Sequence, residues 1–215
     1  MYFLANFVEY QNWGMNALTV SAIGTVFFTF WQLYAAVAQS KKVWSERSAQ
    51  SVSLQLFTYN LFYLVSFLIY GAYKNSLSMM INGLLFIAFL PAVIGIWKFK
   101  KTRLREKIIA LLYSLIIPAM IILPQKDLVV LISLSGIVLF LAFQLWDIIK
   151  EGEFGALSVE FVVIYLATDA FWLAFSITIK NAPLIFFNAV VMIIYSVCLF
   201  LFFRYKNLSR AKEFV

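Results

Sequence analysis

The charged residues of this chain fall in clusters, and the stretches between them are long and apolar. Uncharged windows occupy 10–40, 48–73, 75–97, 108–125, 128–146, 170–179 and 181–203. A helix needs about 20 mostly apolar residues to cross a bilayer, and all but 170–179 reach or approach that length. The short window becomes a full span when 159–179 is taken as one helix with Asp169 at its middle. The pattern predicts seven spans, at 16–38, 54–73, 77–97, 107–123, 128–149, 159–179 and 183–203. Lipid offers no hydrogen-bond partner to an exposed backbone, so each span is expected to be helical. A β-barrel would alternate apolar and polar positions over segments of about ten residues, and Leu111–Leu123 does not alternate. The expected fold is all-α and integral to the membrane.

Composition agrees with that reading and narrows the chemistry. Charged residues make up 13% of the chain, against about 25% in a soluble domain. There is no His, and Cys198 is the single cysteine. An intrachain disulfide, a Cys/His metal site and a His-based triad are therefore excluded. No nucleophile–base pair can be assembled, so no enzyme is expected, and no cofactor is implied. Cys198 reads as a small apolar packing residue. Phe3, Leu4, Phe7 and Trp13 suggest an interfacial segment ahead of the first span, and the absence of Lys and Arg before Met15 is unlike a cleaved signal peptide.

The basic residues set an orientation. Lys74, Lys126 and Lys180 stand alone in the loops of one side, while the other side carries fourteen of the 17 Lys and Arg, among them the run Lys98–Lys107. Cytoplasmic loops hold the basic excess. The N-terminus is thus expected outside and the C-terminus in the cytoplasm, in a plasma membrane of bacterial type. Topology accounts for the net charge of +7, and nucleic acid is not an expected partner.

Two segments match at an offset of 105 residues: Ala38–Leu54 and Phe143–Val159. Gln39 pairs with Gln144 and Ser53 with Ser158; downstream, Phe67-Leu-Ile-Tyr70-Gly71 pairs with Trp172-Leu-Ala-Phe175-Ser176. With one inserted residue, Asn82 pairs with Asn188. The chain then divides into an extracytoplasmic interfacial segment (1–15), a first three-helix repeat (16–97), a basic loop with a linker helix and a short loop (98–127), a second three-helix repeat (128–203) and a basic tail (204–215). A three-helix unit leaves on the side opposite its entry, so the extra span inverts the chain and sets both repeats parallel. Internal repeats of this kind characterise transporters, with the solute site near mid-membrane between them.

These residues resemble the PQ-loop superfamily and, within it, the SWEET-type transporters, over nearly the whole chain. The resemblance rests on Ala38-Gln39, Val52-Ser53-Leu54, Phe67-x-x-Tyr70-Gly71 and Asn82-Gly83, and on Phe143-Gln144, Leu157-Ser158-Val159, Trp172 and Asn188 in the second unit. It implies a carrier of a small solute, sugar by default, working by alternating access. It also implies that Asn82 and Asn188 bind the solute; Gln39 and Gln144, near the cytoplasmic ends of spans 1 and 5, read as gating or helix-end hydrogen-bonding residues. Both motif prolines are replaced, by Ala38 and Phe143, and Pro124-Gln125 lies in the wrong loop to stand in for them.

The residues themselves leave alternatives. Asn82 and Asn188 are either solute contacts or hydrogen-bonding glue between helices. Trp172 and Phe67 suit the C–H face of a sugar, or pack as ordinary aromatics. Asn60 shares a stripe with Tyr63 and Phe67 that faces the same space. Asp169 forms a stripe with Tyr165, Trp172 and Ser176, and its equivalent in the first unit is Leu64, so the acid lies outside the repeat. A mid-membrane charge costs about 2.5–3.5 kcal/mol on insertion scales. Three roles fit Asp169: a proton-coupling or cation-binding group, a polar contact to solute, or a structural hydrogen bond. Asp147 beside Trp146 reads as interfacial, and Pro91 and Pro118 are expected to kink spans 3 and 4. The functions consistent with these features are a passive carrier, a proton-coupled carrier of an amino acid or other charged solute, and a non-transporting receptor such as the related KDEL receptors. Expected partners are the solute and the bilayer, in a monomer or weak homo-oligomer.

The orientation is testable directly. In a Cys198→Ser background, a cysteine replacing Lys180 is expected to react with a membrane-impermeant maleimide on intact cells. One replacing Lys101 is expected to react only after the cells are opened; the opposite pattern would invert the topology.

Overall fold

The structure is a computed structural model that describes residues 6–11, 13–49, 53–151 and 159–213, with the side chains of 144, 147, 151, 160, 161 and 205–213 outside the description. Phe3, Leu4, Val52, Leu157 and Ser158, and the side chains of Gln144 and Asp147, therefore lie beyond it. The fold is an all-α integral membrane fold. A short helix, α1 (Val8–Gln11), precedes the first span, α2 (Ala17–Glu46). The second span is α3 (Leu54–Tyr73), and the third is divided into α4 (Leu77–Gly83) and α5 (Phe86–Phe99). The linker span runs as α6 (Leu104–Leu112), a 3₁₀ turn (Tyr113–Leu115) and α7 (Ile116–Ile122); then come α8 (Lys126–Glu151), α9 (Val159–Thr178) and α10 (Ala182–Glu213). Among the described residues, five helical stretches are long and apolar enough to cross a membrane by themselves, and Val162–Thr178 is a shorter apolar helix.

Two differences from the expected spans have local causes. Hydropathy measures the length of an apolar stretch, not its continuity. Pro118 has no N–H, and its ring crowds the carbonyl four residues earlier, which is Ser114, inside the 3₁₀ turn. In span 3, the amides of Leu85, Ile87 and Ala88 bond three residues back, to Asn82, Leu84 and Leu85. That tight turn separates α4 from α5 just ahead of Pro91. The helices also outrun the apolar windows: α2, α8 and α10 continue past the membrane core to Glu46, Glu151 and Glu213.

One turn occurs twice in the backbone. Asn75 and Lys180, 105 residues apart, both adopt left-handed φ, 51° and 54°. The next amides, Ser76 and Asn181, each bond a carbonyl five residues back, Gly71 and Ser176, at 2.9 Å. Ser76 and Asn181 then cap the following helices through Met79 N and Leu184 N. The same turn thus closes α3 and α9. Packing follows the same order twice: α4 and α5 lie between α2 and α3, and α10 lies between α8 and α9. The two halves meet where α2 packs on α9 and α3 on α8, and the linker span lies against α3.

Glycine permits the closest of these approaches. A Cβ on Gly71 would stand 2.8 Å from Met79 Cβ and Met80 N, and one on Gly83 would stand 2.6 Å from the Leu68 backbone. At the same end of the bundle Glu9 is buried, although its segment reads from the sequence as merely interfacial. Its carboxylate accepts from Ser76 Oγ (2.8 Å), Leu77 N (3.0 Å) and Ser78 N (2.9 Å), so α1 caps α4 with a full negative charge, which the helix dipole favours.

Since the atoms facing Gly83 are backbone, α3 and α4 must separate to admit a methyl group. Gly83→Ala is expected to destabilise by about 1–3 kcal/mol, as overpacking does. For a chain of this size that lowers the melting temperature in detergent by about 2–10 °C. Gly14→Ala, whose nearest neighbour would be 3.8 Å away, is expected to leave it unchanged.

Candidate functional site

The two motif aromatics meet. Phe67 and Trp172 pack edge to face with ring centroids 5.9 Å apart, and both are buried. They occupy equivalent positions in the two units. This contact brings α3 and α9 together. Phe67 stacks on Tyr63 (5.5 Å), and Trp172 packs against Phe175 (5.8 Å). Phe67 and Trp172 each lie six residues from the last residue of their helix, roughly 9 Å in by helical rise, on the side of Lys74 and Lys180.

The asparagines sit at similar depth, and their partners orient them. Asn82 Nδ2 donates to Thr29 Oγ1 and Gln32 Oε1, both at 3.2 Å. Thr29 already donates its own proton to Thr25 O, so it can only accept from the amide. Asn188 Nδ2 donates to Leu184 O (2.7 Å) and Ser176 Oγ (3.5 Å), and Ser176 donates to Trp172 O. Both amides therefore turn their N–H groups to the protein. No donor among the described residues meets either side-chain carbonyl oxygen. Asn82 does tie span 3 to span 1, the gluing role that the sequence allows, and each asparagine still offers a hydrogen-bond acceptor.

Asp169 lies at the middle of α9 with 7% of its surface exposed, and its Oδ2 is buried without a partner among the described residues. Tyr63, Tyr165 and Tyr195 surround it within electrostatic reach, and Tyr165 and Tyr195 lie 5.8 Å apart. The structure thus brings Asn188, Trp172, Phe67, Asp169 and Tyr165 together, with Asn82 across α4 and α2. Asn60 is half-buried on α3, and no hydrogen bond ties it to another described residue. Gln39 is half-buried on α2, roughly 15 Å along the helix from Thr29, and Gln144 holds the matching place on α8. Both are remote from the aromatic pair. The described residues hold no cluster of His, Cys, Asp and Glu fit for a metal. An open groove along Leu173, Met192, Ile193, Val197 and Phe200 exposes large apolar side chains, as a lipid-facing surface does.

One feature has no motif to announce it. Above the aromatic pair, Tyr70 Oη donates to Asp127 Oδ1 (2.8 Å), Lys74 Nζ pairs with the same carboxylate (2.8 Å), and Asn181 Nδ2 donates to Tyr70 Oη (2.7 Å). Residues from three separate turns, Lys74, Asp127 and Asn181, meet at this end. Asp127 and Asn181 each sit where a helix begins, which is the only trace they leave in the sequence. The ion pair is largely exposed, and such pairs hold about 0.2–1 kcal/mol, weak enough to part readily. Asp127→Ala removes two of the three ties. In a Cys198→Ser, Phe67→Cys background it is expected to raise thiol labelling from the Lys74 side about fivefold or more; an unchanged rate would mean that this network closes nothing.

No family model matches the chain, and no curated protein matches it in sequence. Among solved structures it is similar to a eukaryotic SWEET transporter determined at 3.7 Å resolution. The TM-score is 0.73 at 14% identity, over 89% of this chain and 97% of that one. At that identity the likeness is one of fold.

Proposed function

We propose that this protein is a membrane carrier that moves a small hydroxyl-bearing solute, a sugar or sugar-like compound, by alternating access between its two units. The observation that carries this reading is the arrangement where the two units meet. Phe67 and Trp172 form an aromatic contact, and Asn82 and Asn188, oriented by Thr29 and Ser176, keep carbonyl oxygens without a donor among the described residues, which solute hydroxyls can meet. The weak closure at Tyr70, Asp127, Lys74 and Asn181 supports the same reading, because a carrier needs a seal that yields. The likeness in fold to a SWEET transporter and the repeat in the sequence add to it. In this reading Asn82, Asn188, Trp172 and Phe67 bind solute and Asp169 is the coupling group. Asn60 and Tyr165 border the site, and Gln39 and Gln144 act toward the basic end, where the path opens when the other end is sealed.

Proteoliposomes test the proposal. Counterflow against a panel of sugars, amino acids and vitamins is expected to reveal at least one carried solute. Asn188→Ala and Trp172→Phe are each expected to cut that flux about tenfold, in protein whose melting temperature shows that it is still folded. Specific binding without flux would instead identify a receptor.

A further inference from the structure

Asp169 presents a problem of charge that the rest of the site does not solve. Burying a carboxylate without a cation or sufficient donors is strongly unfavourable. The helices packed on α9 are α2 and α10, and α3 reaches it through Phe67. The titratable groups turned toward Asp169 are Tyr63 on α3, Tyr165 on α9 itself and Tyr195 on α10, with Cys198 beside Tyr195. Between Ala17 and Leu33, α2 has no titratable side chain. Neither α3 nor α9 contains a Lys, Arg or His, and α10 has none before Arg204. No described residue beside Asp169 supplies the compensating positive charge.

Two entities can supply it, a proton or the charged head of a solute. Oδ2 is the unpartnered atom, and it accommodates one of them at a time. The surroundings favour an ammonium group over other cations. The surroundings of Asp169 are aromatic, with Tyr63, Tyr165 and Trp172 near it, and aromatic rings attract ammonium groups, whereas a metal ion would find too few oxygen ligands here. Trp172 lies one turn from Asp169, and Ser176, which holds Asn188, one turn further. A solute with its ammonium at Asp169 would thus lay its hydroxyls toward the asparagine carbonyls.

We infer that the carried solute is a small hydroxylated amine, an amino sugar or amino alcohol, and that it exchanges for a proton at Asp169. The inference rests on the carrier reading above. On one side of the membrane the carboxyl releases its proton to water as the ammonium enters and pairs with the carboxylate. On the other side the ammonium departs and the carboxylate takes up a proton. One positive charge travels each way, so the exchange is electroneutral and driven by a pH difference.

Proteoliposomes with an acidic interior test this by comparing amines with their neutral isosteres: glucosamine with glucose, and ethanolamine with ethylene glycol. The expected result is uptake of an amine accelerated about tenfold or more by the gradient, with a matching rise in lumenal pH reported by a trapped dye. The neutral isostere is expected to show no response to the gradient. Asp169→Asn is expected to abolish the gradient-driven component, and Asp169→Glu to retain part of it. If neutral solutes move while amines do not, or if amine flux ignores the gradient in the wild-type protein, the inference falls and the carrier reading survives. A gradient response that persists in Asp169→Asn also overturns it. If no solute of any class moves, both readings fall.

Discussion

Lipid provides no hydrophobic force to press one helix against another, and the whole architecture follows from that constraint. What holds these spans together is close contact and a small number of polar ties. Gly71 and Gly83 let α3 and α4 approach until backbone meets side chain and backbone. Between the units, Tyr59 Oη donates to Ser133 O, joining α3 to α8, and a side chain on Gly24 would collide with the Phe171 ring where α2 crosses α9. Glu9 gathers three donors at the start of α4. Each tie satisfies groups that would otherwise stand unpaired in hydrocarbon.

The central site takes its geometry from two like frames. One turn, built twice 105 residues apart, fixes where the third span of each unit begins. Phe67 and Trp172, at equivalent positions of the two units, touch. The same positions differ in kind, since a tyrosine follows one and a phenylalanine the other at the i+3 position. Tyr70 reaches Asp127 and Asn181, which Phe175 cannot do. Asp169 stands one turn before Trp172, with Leu64 as its counterpart. The shared turn supplies the frame, and divergence places the Tyr70 network and the acid.

Much of this is legible in the sequence. Charge-free windows locate the spans to within a few residues at most ends, because the bilayer sets their length. The offset of 105 places Gly71 opposite Ser176, and those two residues supply the carbonyl that each turn bonds five residues back. Motif and periodicity single out Asn82, Asn188, Trp172, Phe67 and Asp169. Other features depend on tertiary meetings that no local pattern encodes. Thr29 orients Asn82 across 53 positions, and Asp127 joins Tyr70 across 57. No pattern marks Glu9, because its donors lie in a turn beyond the second span. The joint in span 3 is hidden because apolar residues on both sides of Leu84 and Leu85 form one uninterrupted window.

That joint makes the two halves mechanically unequal. The third span of the second unit, α10, is a single rod from Ala182 to Glu213, whereas its counterpart bends at Leu84–Leu85, immediately after Asn82 and just ahead of Pro91. A rod transmits displacement along its whole length; a jointed strut lets its two ends move separately. Asn188 therefore travels with its unit as a fixed fitting, while Asn82 rides a short segment clamped to Glu9 at one end and released at the other. A bend along the third span is thus open to the first unit through this joint and not to the second.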